Sequence, residues 1–190
     1  MSVIPVVRPT LKFDLLSNTR VEPPAELAPP DGPADELEYT AFVAFRLNDS
    51  SGAGSQALFS TRTTGPTSGL MTYITVGSGS MATTIYGTSD LSSTVPLGGW
   101  DPLGGEWGVV GFSAHAGVLR SVGPGGIGNP VTLPSDVAAH RGPRVGGDTN
   151  SSSNAFDGEI LLAAIAHKGL TPEELIAAYE AITSSLGLED

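Results

Sequence analysis

The sequence predicts an all-β antiparallel sandwich that is closed by one short C-terminal α-helix. Glycine and proline are frequent, at 25 and 15 of the 190 residues, and this composition favours many tight turns between short strands. Apolar and polar residues alternate in successive short stretches, as expected of strands. Near the C-terminus the apolar period lengthens to three or four residues, which is typical of a surface helix. A chain of this length fits one domain.

The central strand of this prediction follows a turn at Asp157 and Gly158, directly after Phe156. Residues 160–166 carry apolar side chains at both parities of the strand period. Such a run predicts a strand that is buried on both faces.

A helix over residues 171–186 is predicted from its start signals and its periodicity. Thr171 and Glu174 have the spacing of a capping box, and Pro172 occupies the first helical position, where its missing amide donor costs nothing. Leu170 and Leu175 have the spacing of a hydrophobic staple. Apolar residues then recur every three or four positions until Gly187, where we expect the helix to end.

The first 37 residues divide into two parts. Residues 1–20 predict an N-terminal extended arm and a first strand, in which Leu11, Phe13 and Leu15 alternate with polar residues. Residues 1–9 have two interpretations, as part of the sandwich or as an arm that lies on a neighbouring subunit. Residues 21–37 predict a proline-rich acidic surface loop, because proline removes amide donors. The sandwich itself is assigned to residues 38–190.

Further strands are predicted at hairpin spacing between residues 38 and 147. Residues 89–106 are interpreted as one long loop that carries Trp100, and a tight turn at residues 115–117 joins the central hairpin. The predicted strands cover residues 38–47, 56–62, 69–76, 81–87, 107–114, 117–122, 131–133 and 144–147.

Several of these segments together resemble laminin-G-like, concanavalin A-like jelly-roll domains. The resemblance is carried by the Phe-Asp-Gly-Glu-Ile turn at 156–160, the Leu-Thr-Pro-Glu-Glu start at 170–174, the Arg-Val-Gly-Gly segment at 144–147 and the hairpin that begins at Trp107. It implies a concanavalin A-like antiparallel jelly roll. It does not imply one activity, because this fold carries lectins, glycosidases and structural modules alike.

Charge and cysteine content exclude several classes of function. The formal net charge of −11 disfavours binding to nucleic acid and to anionic membranes. The chain has no cysteine, so the sandwich must be stable without disulfides, as a domain of this size can be. Neither a signal peptide nor a transmembrane segment is predicted.

No catalytic constellation is evident, and we expect no enzymatic activity. Glycosidases of this fold place acidic residues at i, i+2 and i+4 on one strand, whereas the pairs Glu36/Glu38 and Asp157/Glu159 lack a third member. We interpret these carboxylates as solvated loop residues. The three histidines lie on separate elements and are interpreted as surface or strand-end residues: His115, His140 and His167.

Two ligand sites are predicted. Tyr73, Tyr86 and Trp100 could build an aromatic platform for a glycan; in the alternative interpretation the tyrosines cap the core and Trp107 fills it. The polar loop before the closing strand supplies oxygen atoms of the kind calcium prefers. Its candidate calcium ligands are Asp148, Asn150 and Asp157, with Asn154 nearby. No other cofactor is expected.

The leading functional hypothesis is a non-enzymatic structural or surface protein of a bacteriophage virion, of the head decoration, fibre or minor tail type. It rests on association: a lectin-like fold, no cysteine, no export signal and an extended N-terminus that docks on a partner. Expected partners are other virion proteins or a second copy of the chain, and a cell-surface glycan. A second hypothesis is a soluble carbohydrate-binding module or adhesin at the cell surface, and a third is a glycosidase of the same superfamily.

Overall fold

In the computed structural model the strands form two packed sheets and one separate two-stranded pair. The described residues are 11–13, 21–48, 54–63, 68–75, 80–87, 90–101, 105–147 and 156–188. The strands are β1 (Leu11–Phe13), β2 (Gly32–Pro33), β3 (Tyr39–Leu47), β4 (Ser55–Ser60), β5 (Gly69–Thr75), β6 (Ser80–Tyr86), β7 (Leu91–Pro96), β8 (Gly108–His115), β9 (Val118–Gly123), β10 (Gly126–Ile127), β11 (Val131–Thr132), β12 (Val137–Ala138), β13 (Arg144–Val145) and β14 (Gly158–Ala166). One helix, α1 (Pro172–Leu186), follows β14.

All strand pairs in the described residues are antiparallel. The seven-stranded sheet has the order β1-β14-β3-β8-β9-β10, with β11 also paired to β9. The five-stranded sheet has the order β13-β4-β5-β6-β7, and β2 pairs with β12 separately. The predicted fold class, an antiparallel jelly-roll sandwich with one C-terminal helix, is therefore confirmed.

The main core lies between the two sheets and is rich in aromatic side chains. Tyr39 and Phe45 of β3 point into it and are fully buried. Tyr39 lies 6.3 Å from the ring of Phe59 and 6.1 Å from that of Phe112, between ring centroids. These rings interlock β3, β4 and β8 because aromatic pairs prefer such tilted contacts.

A second apolar layer holds α1 against the outer face of the seven-stranded sheet. Phe42, Ala44 and Val109 project outward from this sheet and pack under the helix. Leu170 and Leu175 are both buried in this layer, as the predicted staple requires. The helix therefore covers the outer face of the seven-stranded sheet.

The ends of α1 confirm the start and stop signals. The Thr171 side chain accepts a hydrogen bond from the Glu174 amide, and the Glu174 carboxylate accepts one from the Thr171 amide. Gly187 ends the helix in the left-handed conformation, with φ of 68°. The helix begins at Pro172 and ends at Leu186, in agreement with the prediction.

The interpretation of residues 89–106 as one long loop is wrong, because β7 occupies residues 91–96. Ser93 points towards the core and is fully buried, and its hydroxyl donates to the Asn129 carbonyl at 2.7 Å. The Ser121 hydroxyl in turn donates to the Ser93 carbonyl at 3.0 Å. Because these hydrogen bonds satisfy its hydroxyl, this serine occupies a core position that an apolar residue would normally fill. The alternation of apolar and polar residues that marks a strand was therefore not visible in the sequence of β7.

The proline-rich segment 21–37 contains two short 3-10 turns, Ala25–Leu27 and Ala34–Glu36, besides the two residues of β2. Residues 1–9, where an arm was predicted, lie outside the described residues. None of the helices in the described part of the chain has the length and apolar character needed to span a membrane.

Gly111 of β8 provides a test of the outer apolar layer. A Cβ atom at this position would lie 2.3 Å from Phe42 Cδ1 and 2.9 Å from the Ala41 carbonyl oxygen. We expect Gly111→Ala to lower the free energy of unfolding by about 1–3 kcal/mol, because the ring has to leave its place. Urea unfolding monitored by circular dichroism measures this change. Gly87→Ala is the control, since its Cβ meets nothing within 4 Å, and an equal loss in both variants would contradict the argument.

Candidate functional site

The outer face of the five-stranded sheet is the surface on which we place the candidate site. Residues directly opposite each other in an antiparallel pair share a face, and the register therefore defines rows across the sheet. Tyr73 opposes Ala57 on one side and Ala82 on the other. Ala57 and Ala82 are buried while Tyr73 is half-exposed, so the tyrosine stands above a floor of small side chains.

The next row of this face contains two hydroxyl side chains. Met71 opposes Thr84, and Thr84 opposes Ser92. The hydroxyl oxygens of Thr84 and Ser92 lie 2.7 Å apart and are hydrogen-bonded. Thr84 is buried, whereas Ser92 at the edge is exposed, and this row therefore offers hydroxyl groups beside the Tyr73 row.

Arg62 contributes a positive charge to the same face. Its guanidinium carbon lies 4.0 Å from the centroid of the Tyr86 ring, a cation–π contact. Its Nη1 atom lies 3.7 Å from the Met71 sulfur, so the side chain extends over the sheet. Arg62 was not singled out from the sequence. A single arginine just after a strand, in a chain with 9 basic and 20 acidic residues, was the signal that could have identified it.

The two predicted tyrosines share this face, but they are too far apart to stack on one pyranose ring. Tyr86 opposes Gly69, four residues along β5 from Tyr73. At the strand rise this corresponds to about 13 Å. One ring face of Tyr86 is in addition covered by Arg62. The two rings therefore have different surroundings, and only Tyr86 is in contact with the Arg62 guanidinium.

Trp100 does not join the tyrosines. Its ring lies edge-on to Phe45, with 5.4 Å between centroids and an interplanar angle of 88°, and packs against the main core. A Cβ atom on Gly108 would lie 2.4 Å from Trp100 Cζ2, so glycine is required for the indole to lie there. The role of Trp100 in glycan binding stays a prediction. It would concern a different surface from the one that carries the two tyrosines.

The alternative in which Trp107 fills the core is wrong. Trp107 is half-exposed on the other side of the seven-stranded sheet, where the Arg46 guanidinium carbon lies 5.0 Å from its ring centroid. Trp100, assigned to a loop, is the tryptophan that packs against the core. The two tryptophans flank the start of β8. Because position 108 faces the core, the side chain of the adjacent Trp107 faces outward, and Trp100 fills the space beside Gly108.

Of the predicted calcium ligands, the structure describes Asp157 alone; Asp148 and Asn150, like Asn154, lie outside the described residues. Asp157 is buried, and its Oδ1 atom accepts a hydrogen bond of 2.6 Å from Asn48 Nδ2. Its amide donates to Gln56 Oε1 at 2.9 Å. These hydrogen bonds connect the start of β14 to β3 and β4. Calcium binding by Asp157 stays a prediction.

Asp157 and Glu159 are not the solvated loop carboxylates that the sequence analysis expected. Glu159 is buried, and its carboxylate forms a salt bridge of 3.0 Å with Arg46. Strand pairing of β14 with β3 places Glu159 opposite Arg46, and Asn48 is the side-chain partner of Asp157, so each buried carboxylate has a polar partner. Among the described residues, no group of three or more histidine and acidic side chains is arranged to hold a metal ion.

Glu38 is exposed and links three segments through its carboxylate. It accepts hydrogen bonds from the amides of Ala116 and Gly169, at 2.9 and 3.1 Å, and contacts His115 Nδ1 at 2.8 Å. Partial burial raises the pKa of Glu38, but these hydrogen bonds and the charge of His115 outweigh it and lower the pKa overall. The arrangement joins β3, the β8–β9 turn and the start of the helix, and its role is structural.

His140, interpreted from the sequence as a surface or strand-end residue, lies two residues after the end of β12. It is half-buried beside a small cavity of about 150 Å³ formed with the 30–37 segment. Its Nδ1 atom lies 3.0 Å from the Thr61 hydroxyl, and its amide donates to Asp31. Burial lowers the pKa of His140 to about 4, although the charge of Asp31 acts in the opposite direction.

Comparisons with known proteins support the fold. No known protein-family profile matches the sequence, and a search of curated proteins finds no match. Among solved structures, the Ruminococcus gnavus IT-sialidase CBM40 domain bound to α2,3-sialyllactose is similar at a TM-score of 0.60 and 16% identity, over 85% of this chain and 98% of that one.

Two further structures are similar at this level. The mouse laminin α1 chain domains LG4-5 match at a TM-score of 0.58 and 15% identity, over 87% of this chain and 43% of that chain. The botulinum neurotoxin serotype G binding domain matches at 0.68 and 11%, over 97% of this chain and 46% of that chain. At these identities the likeness establishes the fold, which is that of the laminin-G-like jelly rolls.

The depressed pKa of His140 predicts a pH dependence of stability. In the unfolded chain the imidazole takes up a proton near pH 6.5, whereas in the folded chain it does so only near pH 4. The unfolded state therefore binds more protons between these values, and stability falls as the pH is lowered from 6.5 to 4. The variant His140→Asn lacks this imidazole. We expect its free energy of unfolding to fall less over this pH range than that of the wild type, by up to about 3 kcal/mol.

Urea unfolding of both proteins at pH 7, 5.5 and 4.5 measures the effect. Carboxylates titrate in the same range, so the difference between wild type and variant isolates His140. Parallel stability curves for the two proteins would refute the assignment.

Proposed function

We propose that this protein is a non-enzymatic binding module that holds an acidic sugar on the outer face of its five-stranded sheet. The observation that carries the proposal is Arg62, whose guanidinium lies 4.0 Å from the Tyr86 ring centroid on the sheet face that α1 leaves uncovered. Tyr73 stands on the same face, above buried alanines.

The chemistry of this face fits a sugar that carries a carboxylate. A guanidinium presents a planar array of donors to a carboxylate, and charge-assisted hydrogen bonds of this kind are stronger than neutral ones. The half-exposed ring of Tyr73 offers an apolar surface to a pyranose and a hydroxyl at its tip. The exposed Ser92 hydroxyl, which is bonded to Thr84, completes a polar rim for sugar hydroxyl groups.

The net charge of the chain makes the position of Arg62 decisive. A formal charge of −11 repels an anionic ligand at long range, but at physiological salt this repulsion is screened beyond about 8 Å. A contact with one well-placed cation acts inside this distance. Binding of an acidic sugar then depends on Arg62 far more than on the charge of the whole surface.

The Ruminococcus gnavus domain, which this chain resembles in fold, is described in complex with sialyllactose, a sugar that carries a carboxylate. This supports the proposal by analogy of fold, and the contacts of this chain supply the chemical argument.

Sialyllactose and lactose distinguish an acidic from a neutral sugar in one pair of titrations. We expect wild-type protein to bind sialyllactose in isothermal titration calorimetry and to bind lactose at least about tenfold more weakly, the loss expected when one charge-assisted contact is removed. We expect Arg62→Ala to weaken sialyllactose binding by about tenfold or more for the same reason. Tyr73→Ala should weaken both sugars, because the ring contact does not depend on the carboxylate.

Arg120→Ala is the matched control, since it removes the same charge from the seven-stranded sheet, where Arg120 opposes Ser113. Circular dichroism confirms that each variant is folded. Equal effects of Arg62→Ala and Arg120→Ala would reduce the role of Arg62 to net charge and contradict the proposed site.

A position in a bacteriophage virion is the more specific proposal, and it concerns residues 1–9, outside the described residues. We expect deletion of residues 1–9 to abolish assembly with a partner or with further copies while the sandwich remains folded. Size-exclusion chromatography with light scattering and reconstitution on particles that lack the protein measure the outcome. Unchanged assembly of the shortened chain would contradict the docking role of this segment.

A further inference from the structure

A groove lies on another part of the molecule, between the segment that leads into β8 and the last two turns of α1. Its volume is about 490 Å³, within the range of about 300–1,000 Å³ typical of small-molecule sites. Its walls include Trp100, Trp107, Tyr179, Glu106 and Thr183. It is separate from the sheet face proposed to hold the sugar, because Tyr179 and Thr183 belong to the helix that covers the other sheet.

The tryptophans in the walls are held in place by their neighbours. The Arg46 guanidinium carbon lies 5.0 Å from the centroid of the Trp107 ring, and Arg46 is itself held by Glu159 at 3.0 Å. Trp100 is fixed edge-on against Phe45. Fixed rings lose little conformational freedom when a ligand binds, so these side chains form a preorganised wall.

Among the described residues that line the groove, Glu106 is the one charged side chain. Glu106 places an exposed carboxylate in the wall. The C-terminal end of α1 borders the groove, and its last turn contains no basic residue that would offset the negative end of the helix dipole. Arg46 is not among the residues that line the groove, and its charge is paired with Glu159.

We propose that this groove binds an organic cation of the quaternary ammonium type. Aromatic ring faces attract such cations through their quadrupoles, and a tetraalkylated nitrogen places methyl groups, rather than hydrogen-bond donors, against the rings. Glu106 supplies the balancing negative charge. The groove combines three aromatic side chains, one carboxylate and a helix C-terminus in one place.

The only two tryptophans of the sequence line this groove, so intrinsic fluorescence reports on it directly. We expect choline chloride to change the tryptophan emission with saturation and a Kd on the order of 1 mM, a value consistent with so small a ligand. Sodium chloride at equal ionic strength corrects for salt. The uncharged isostere 3,3-dimethylbutan-1-ol has the same shape without the charge, and we expect it to bind at least about tenfold more weakly.

Two variants locate the binding. Glu106→Gln removes the carboxylate from the wall, and we expect the Kd for choline to rise by about three- to tenfold. Trp107→Leu removes one ring, with a similar expected loss, and Trp100 remains as the fluorophore. Glu180→Gln is the matched control, because it removes the same charge from an exposed position of α1 that does not line the groove.

The outcomes separate clearly. Binding of choline that is weakened by Glu106→Gln and not by Glu180→Gln supports the site. A parallel titration with phosphocholine distinguishes a free cation from a phosphorylated headgroup, and the proposal stands in either case. Equal binding of choline and its uncharged isostere, no saturable change, or binding of methyl glucoside in place of choline would overturn it. None of these results bears on the acidic-sugar site, which the Arg62 and Tyr73 variants test.

Discussion

The pairing of β14 with β3 is the interaction on which the rest of the structure depends. The two strands run antiparallel through the middle of the seven-stranded sheet, from Gly158 opposite Leu47 to Ala166 opposite Thr40. β14 also pairs with β1, so this strand connects the described N-terminal residues to the closing segment. Because β3 carries apolar side chains on both faces, the pair needs cover on both sides: the second sheet inside and α1 outside.

The position of α1 decides which surface of the sandwich is available to a ligand. The helix is joined to β14 by a short loop, which is tied to β3 where the Thr40 hydroxyl donates to the Lys168 carbonyl at 2.7 Å. The helix therefore packs on the sheet that contains β14 and not on the five-stranded sheet. It also creates the second groove, since its last turns stand beside Trp107. Both proposed sites follow from the placement of this one helix.

The short-range features of the fold could be predicted well from the sequence. The capping box, the staple and the terminal glycine of α1 lie within a few residues of one another, so their chemistry is complete in the local sequence. The β8–β9 hairpin is similar: its turn at Ala116 and Gly117 adopts positive φ angles of 48° and 73°. By contrast β7 was missed, because Ser93 is made compatible with burial by Asn129 and Ser121, which are distant in the chain.

The sequence by itself determined the fold class, the helix and the positions of most strands along the chain, because periodicity and turn chemistry act between neighbouring residues. Tertiary structure alone decided what the individual side chains can do. It placed Trp100 rather than Trp107 against the core, through the parity of Gly108, and it brought Arg62, which follows β4, onto the Tyr86 ring of β6. Such contacts depend on strand register and on which face is covered, and residues far apart in the chain set both.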